Sequence, residues 1–306
     1  MNGLVVAVSI IVGAIVFVNI WSSVISGLVG AEVKPIREGN IIDTLYVLGT
    51  IAEGEADYNH SWTINRINEL MEDEHNKGIF LYVNSPGGGI YESDELYLKL
   101  KQYKEVTKRP VYAYMAQTAA SGGLYVCMAA DQIYANRMTM TGSIGVIMSM
   151  TDTTGLQKLL GIKTENIVSG KNKAMGNPLT DEQRQILQTM IDESYEIFVG
   201  IVAENRGLPV EEIRELADGR IYSALQAKEL KLIDEVGTVE EAMQAMVNDN
   251  GLKDCNWYSE KPPTVGLLEM FLGAKLEGSE LLSQFSQIQK YIEINKMPRL
   301  MYYYGN

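Results

Sequence analysis

The stretch Thr118-Ala119-Ala120-Ser121-Gly122-Gly123 sets one small hydroxyl residue between two alanines and two glycines, just ahead of an apolar run at 124–130. The run reads as a helix. Ser121 then lies at or near its N-terminus, where backbone N–H groups are unpaired and the dipole is positive. A serine so placed can attack a carbonyl while nearby amides take up the developing negative charge. The small neighbours let a substrate backbone come close. The same residues also suit a plain N-cap serine before a packed glycine pair, with no chemistry attached.

Two further loops bear on that choice. Asn84-Ser85-Pro86-Gly87-Gly88-Gly89 follows an apolar strand and precedes a helix. It has neither the GxxxxGK[ST] of a phosphate loop nor the GxGxxG of a dinucleotide site. What it offers is unhindered amides at a strand end, where α/β proteins bind ligands. That suits an oxyanion hole, in which one donor typically stabilises the transition state by about 2.7–4 kcal/mol. The alternative is a tight Pro-Gly turn. The third loop, 168–178, carries Lys171 and Lys173 among small residues. A nucleophilic serine needs a base. The chain has two histidines, His60 and His75, each in polar surroundings that read as surface or core filler. A lysine is the economical choice. To act as a base its pKa must fall from about 10.4 to roughly 7–8, which calls for burial. Two exposed lysines on a turn is the plainer reading.

The elements that must position these loops alternate. Residues 41–51, 78–84, 110–115, 131–135, 144–150 and 164–168 read as strands. Residues 62–73, 92–103, 124–130, 157–160 and 180–205 read as helices, the last opened by the capping box Thr180-Asp181-Glu182-Gln183. Helices at 210–217 and 239–247 flank a short apolar stretch at 232–236. Such alternation predicts βαβ units and a mostly parallel sheet, an α/β fold.

The chain has 306 residues, enough for a large core, and a net charge of −13, which argues against nucleic acid. Cys127 and Cys255 give no disulfide framework, and no metal-binding pattern appears; neither metal nor cofactor is expected. The first 31 residues carry no charged side chain. Crossing the hydrocarbon core takes about 20 residues, so this segment is long enough to span. It is read as a retained anchor, with a cleavable signal peptide ending near Val29-Gly30-Ala31 as the competitor. The expected organisation is an anchor at 1–31, a linker at 32–40, a catalytic domain at 41–250 and a C-terminal extension at 251–306. The Tyr- and Met-rich end of that extension reads equally as a docking segment or a disordered terminus.

Taken together, the loops resemble the signal peptide peptidase A family of membrane-anchored serine peptidases. The matching pieces run in order: Val83-Asn-Ser-Pro-Gly-Gly-Gly89, Ala119-Ala-Ser-Gly-Gly123, Thr141-Gly-Ser-Ile-Gly-Val146, Ser169-Gly-Lys-Asn-Lys173 with Pro178, and Asp218-Gly-Arg-Ile-Tyr222 leading to Leu232-Ile-Asp-Glu-Val-Gly237. The resemblance implies a Clp/crotonase-like fold. Ser121 would be the nucleophile and Lys173 the base, with Lys171 second. Gly88, with Gly87 and Gly122, would supply the oxyanion hole, and Ser143 would orient the lysine. Asn172 departs from the aromatic residue that relatives often carry before the lysine.

The resemblance also implies remnant signal peptides and other apolar peptides as substrates, at the extracytoplasmic face of the cell membrane. It implies a single-pass anchor in lipid and a homo-oligomer; single-domain relatives form octamers in which the dyad can be shared between subunits. The competing expectations are a related membrane peptidase acting on a membrane scaffold protein, a crotonase-like acyl-CoA enzyme without a nucleophile, and a non-catalytic membrane scaffold.

Overall fold

The computed structural model describes residues 39–260, apart from Ala56 and Asn177, together with Pro262 and the backbone of Met301–Tyr303. Gly39–Glu260 and the Met301–Tyr303 strand belong to one compact unit. The apolar segment at 1–31 lies outside the described residues. Among those described, no helix is long and apolar enough to cross a membrane.

The architecture is mixed α/β with a mostly parallel sheet, as the alternation predicts. Strands β1 (Ile41–Leu48), β2 (Asn76–Ser85) and β4 (Val111–Ala120) form its parallel centre, with β9 (Asn256–Tyr258) on the outer edge of β1. Strand β4 has two partners on its far edge. Its first half pairs with β5 (Gln132–Ala135), which in turn pairs with β8 (Glu235–Val236). Its last three residues pair with β6 (Met140–Gly142), which carries the antiparallel β7 (Ile221–Ser223). A short glycine strand, β3 (Gly87–Gly89), pairs with β10 (Met301–Tyr303) outside this sheet.

Side-chain alternation along the strands sorts the two faces. Leu45, Val47, Leu81, Val83, Ala113 and Met115 pack with the buried residues of α1 (His60–Glu72), α2 (Ile90–Thr107), α3 (Gly122–Cys127) and α5 (Asp181–Arg206). Ile42, Phe80, Tyr112 and Tyr114 face the other way, onto Ala242 and Met246 of α8 (Val239–Asn250). Each such large apolar side chain stabilises the fold by about 1.5–3 kcal/mol on burial. The capping box expected at Thr180 opens α5 as foreseen. The remaining helices are α4 (Thr154–Leu159), α6 (Val210–Leu216) and α7 (Ala224–Glu229).

Two expected strands are absent. Residues 144–150 and 164–168 lie outside the regular ladders, and the strand in this region sits earlier, at β6. Apolar β-branched residues favour extended backbone, but a strand also needs an edge to pair with. The end of β4 meets Met140–Gly142, fixed there by Thr141 Oγ1 donating to Ala119 O at 2.6 Å. Residues 164–168 are exposed, Ile167 almost completely so at 98%.

A buried ionic hub ties the outer edge to the body. Arg66 of α1, with its side chain 1% exposed, meets Asp43 of β1 at 2.5 Å, Glu69 at 2.9 Å and Glu260 at 2.8 Å. Its guanidinium also lies 5.5 Å from the Tyr258 ring centre. Removing one member of such a buried pair strands the other in a low-dielectric site. Arg66→Ala is therefore expected to lower the unfolding free energy by about 3–5 kcal/mol, whereas Glu69→Gln, on the half-exposed arm, should change it by less than about 1 kcal/mol. Urea denaturation of the two variants checks this contrast.

Candidate active site

Ser121 stands where β4 turns into α3. Its backbone has φ 53° and ψ −118°, a left-handed value that a residue with a side chain rarely adopts. The turn is held from both sides. Ser121 N–H donates to Gly142 O of β6 at 2.8 Å, and Ser121 O accepts from Tyr125 N at 2.9 Å. Although Ser121 occupies the N-cap position, its side chain makes no capping bond. The residue is 1% exposed, and its Oγ has no hydrogen-bond partner among the described residues. A buried hydroxyl without a partner costs free energy, and a strained turn costs more; both are features of a nucleophile aimed at a reacting atom.

The glycine loop lies against this turn. A β-carbon on Gly123 would sit 2.7 Å from Ser85 O, so only glycine lets the first turn of α3 close on the end of β2. Beyond Ser85, β3 is held by main chain. Ile51 donates its N–H to Gly87 O at 2.9 Å and accepts from Gly89 N at 2.8 Å. Along a strand, successive residues point their polar groups to opposite edges. The N–H and C=O of Gly88 therefore face away from Ile51. On β3, β10 pairs antiparallel with Tyr302 opposite Gly88. A β-carbon on Gly88 would fall 2.1 Å from Ile51 O.

The amides divide by what already engages them. Gly87 N–H is taken by Ser85 Oγ at 3.1 Å, and the amide of Ser121 by Gly142. Gly122 opens α3, where its N–H has no partner inside the helix. Gly88 N–H faces the edge that β10 occupies, and Gly122 N–H lies at the open start of α3, whereas Gly87 N–H is taken within its own loop. Ser143 follows β6 directly, 7% exposed and at φ 51°, with its N–H on Arg220 O at 2.7 Å. Since Gly142 holds the Ser121 amide, Ser143 is anchored one residue from the support of Ser121.

The lysines stand apart. Lys173 is exposed and makes no side-chain hydrogen bond or ion pair among the described residues; its N–H donates to Gly170 O at 3.0 Å. In the single chain it makes no hydrogen bond with Ser121. Lys171 is engaged by Glu182 at 2.7 Å and holds that carboxyl below its usual range. The loop between them and α5 is braced by Gln183, whose side chain donates to Ala174 O at 3.2 Å.

His60 is not filler. It is 4% exposed and bonded on both ring nitrogens, to Tyr58 and Glu95. Nothing near it in sequence signals this, because Glu95 lies on another helix. Ile51 gives no sequence signal either, since it acts through its backbone. Cys127 is fully buried, which pushes its thiol up and removes it as a nucleophile.

A profile described as Peptidase family S49 matches residues 104–253, a span containing Ser121, Ser143 and Lys173. A candidate signal peptide peptidase SppA of Enterococcus faecium is 36% identical over 276 residues, covering 85% of this chain and 80% of that one. The chain belongs to peptidase family S49. Protease 4 of Haemophilus influenzae is 30% identical over 254 residues, 79% of this chain but 41% of that protein. The chloroplastic serine protease SPPA of Arabidopsis thaliana is 33% identical over 184 residues, 59% of this chain and 27% of its own length. The S49 chain is accordingly a serine peptidase.

The glycine packing yields a direct check on this S49 site. Gly88→Ala is expected to cut kcat for peptide hydrolysis by about 100- to 1000-fold, the loss typical of a displaced oxyanion donor. Gly200→Ala in α5, where a β-carbon meets nothing within 4 Å, should keep full activity. Steady-state kinetics of the two purified variants separate a local effect from a general one.

Proposed function

We propose that this chain is a membrane-anchored endopeptidase with a Ser121/Lys173 dyad, acting on apolar peptides such as remnant signal peptides. The observation that carries the reading is the conjunction at Ser121: a left-handed turn, a buried Oγ with no partner among the described residues, and a glycine strand packed alongside. Ser121 Oγ attacks the scissile carbonyl and gives its proton to Lys173 Nζ. The amides of Gly88 and Gly122 receive the oxyanion. Collapse of the tetrahedral species passes the proton to the leaving amine and leaves an acyl-Ser121. A water activated by the same lysine then hydrolyses it. Ser143 hydrogen-bonds the lysine and orients it.

The substrate class rests on β3. An extended segment, β10, already pairs with it antiparallel, which is how peptides add to an open strand edge. An acyl-CoA has no backbone to make that ladder, so the pairing favours a peptidase over a crotonase-like enzyme. The stretch from β6 to α5 supports a homo-oligomer. Its helix α4 buries no residue, and Leu159, Leu160 and Ile167 are all largely exposed beside the Lys173 loop. A second copy laid over this arm would cover its apolar residues, desolvate Lys173 and carry it to a neighbour's Ser121. Within this reading the fold is Clp/crotonase-like, 41–250 is the catalytic domain, 251–306 its extension, and 1–31 the anchor that holds the site at the extracytoplasmic membrane face.

Hydrolysis of a Leu-rich peptide by the full chain tests the dyad. Ser121→Ala should abolish turnover, and Lys173→Ala should reduce it by at least about 100-fold, the lower range for a general base. Lys171→Ala should stay close to wild type. Full hydrolysis by Ser121→Ala would remove the mechanism; loss in Lys171→Ala with none in Lys173→Ala would move the base.

A further inference from the structure

The glycine strand β3 has no side chains with which to hold itself. Its position comes from Ile51, through the two backbone bonds to Gly87 and Gly89 and through the contact that leaves no room for a β-carbon on Gly88. Ile51 in turn belongs to the irregular stretch between β1 and α1. At its near end, Gly49 N–H donates to Asn84 O at 3.0 Å. At its far end, Asn59 caps α1, and Ser61 donates from both N and Oγ to Glu53 at 3.2 and 3.1 Å.

A side-chain relay then crosses from this stretch to α2, the helix that begins directly after Gly89. Tyr58 hydroxyl and His60 Nδ1 are 2.9 Å apart, and His60 Nε2 is 2.7 Å from Glu95 Oε2. Tyr91 OH donates to Glu95 Oε1 at 3.1 Å. The hydrogen bond from His60, more than any other contact, lowers the Glu95 carboxyl below its usual range. An ionised Glu95 can only accept, so His60 Nε2 donates to it, and the Tyr58 hydroxyl lies within hydrogen-bond distance of the second ring nitrogen. Burial raises that hydroxyl well above its ordinary value, which keeps it a donor; Glu92, Glu53 and Glu95 face it and act in the same direction.

We propose that His60 and Glu95 are positioning residues for the oxyanion hole: by clamping the Ile51 stretch to the start of α2, they set where the Gly88 amide points. The proposal rests on the reading of Gly88 as an oxyanion donor. The need is physical. A glycine strand is the most permissive backbone available, and a displacement of about 1 Å at a reacting centre can cost 100-fold in rate. Apolar packing alone tolerates small slides. A chain of directional hydrogen bonds, with lengths held near 3 Å, does not. The relay fastens both flanks of β3 to each other.

The test uses the full chain with His60→Leu, His60→Gln, Glu95→Leu and Tyr91→Phe, a Leu-rich peptide substrate, and a peptide aldehyde of the same sequence. The aldehyde forms a tetrahedral adduct on Ser121 and needs the same amides. His60→Leu is expected to lower kcat by about 10- to 100-fold with KM within about twofold, and to weaken aldehyde inhibition in parallel. His60→Gln, which can still donate to Glu95 from its amide, should recover most of both. His60→Leu and Glu95→Leu combined should lose little more than either alone. Tyr91→Phe, at an exposed residue, keeps the fold and removes one bond to Glu95; a smaller fall of the same kind is expected. The inference is overturned by wild-type kcat in the folded Tyr91→Phe protein together with unchanged kcat and aldehyde affinity in His60→Leu, or by a rise in KM at constant kcat. It is equally overturned if losses add in the double variant. Retained hydrolysis in Ser121→Ala would instead strike the reading of the site itself, which keeps the two failures apart.

Discussion

The hydrogen bond from Ser121 N–H to Gly142 O is the constraint on which the site depends. It ends the pairing of β4 with β6 and holds Ser121 in a left-handed turn before the chain enters α3. Without it the serine could relax toward an ordinary cap, with its hydroxyl bonded to the helix. With it, the hydroxyl stays buried and unspent. The sheet topology explains why that bond is available. Strand β4 outruns β5, and its last three residues need another partner, which β6 supplies.

The second half of the site obeys a different logic. Beside the Ile51 hydrogen bonds, close approach shapes it: Gly123 of α3 admits Ser85, and Gly88 of β3 admits Ile51, at distances no β-carbon allows. Two loops far apart in the chain are thereby pressed together at the ends of β2 and β4. The backbone directions along β3 follow from the Ile51 bonds, and the same directions turn its other edge toward β10. The serine turn and the glycine strand are products of one packing arrangement.

Much of this was legible from residue types. Ser121 and the run Gly87-Gly88-Gly89 announce themselves because few other residues could occupy such turns, and the apolar alternation along β2 and β4 makes a parallel sheet the natural outcome. The capping box at Thr180 was readable for the same reason. Other parts were not legible. Ile51 and Gly142 act through backbone atoms, which every residue has. His60 looked like filler because Glu95 lies 35 residues away and only the fold brings them together. Residues 144–150 carry strand-forming side chains but pair only at an isolated bridge, Ile147, a matter of tertiary pairing rather than propensity. Lys173 is the deepest case. It is exposed in the single chain, so under the proposed dyad its burial comes from a second copy.

That last point gives the account its sharpest exposure. If Ser121 is served by the lysine of a second copy, two damaged chains should repair one another. Ser121→Ala and Lys173→Ala proteins, each unable to hydrolyse a Leu-rich peptide, would be unfolded together, co-refolded and assayed as a mixture. The account predicts hydrolysis in the mixture that neither component shows alone, because some contacts then join an intact serine to an intact lysine. A mixture as inactive as its parts, in assemblies shown to contain both chains, would contradict it.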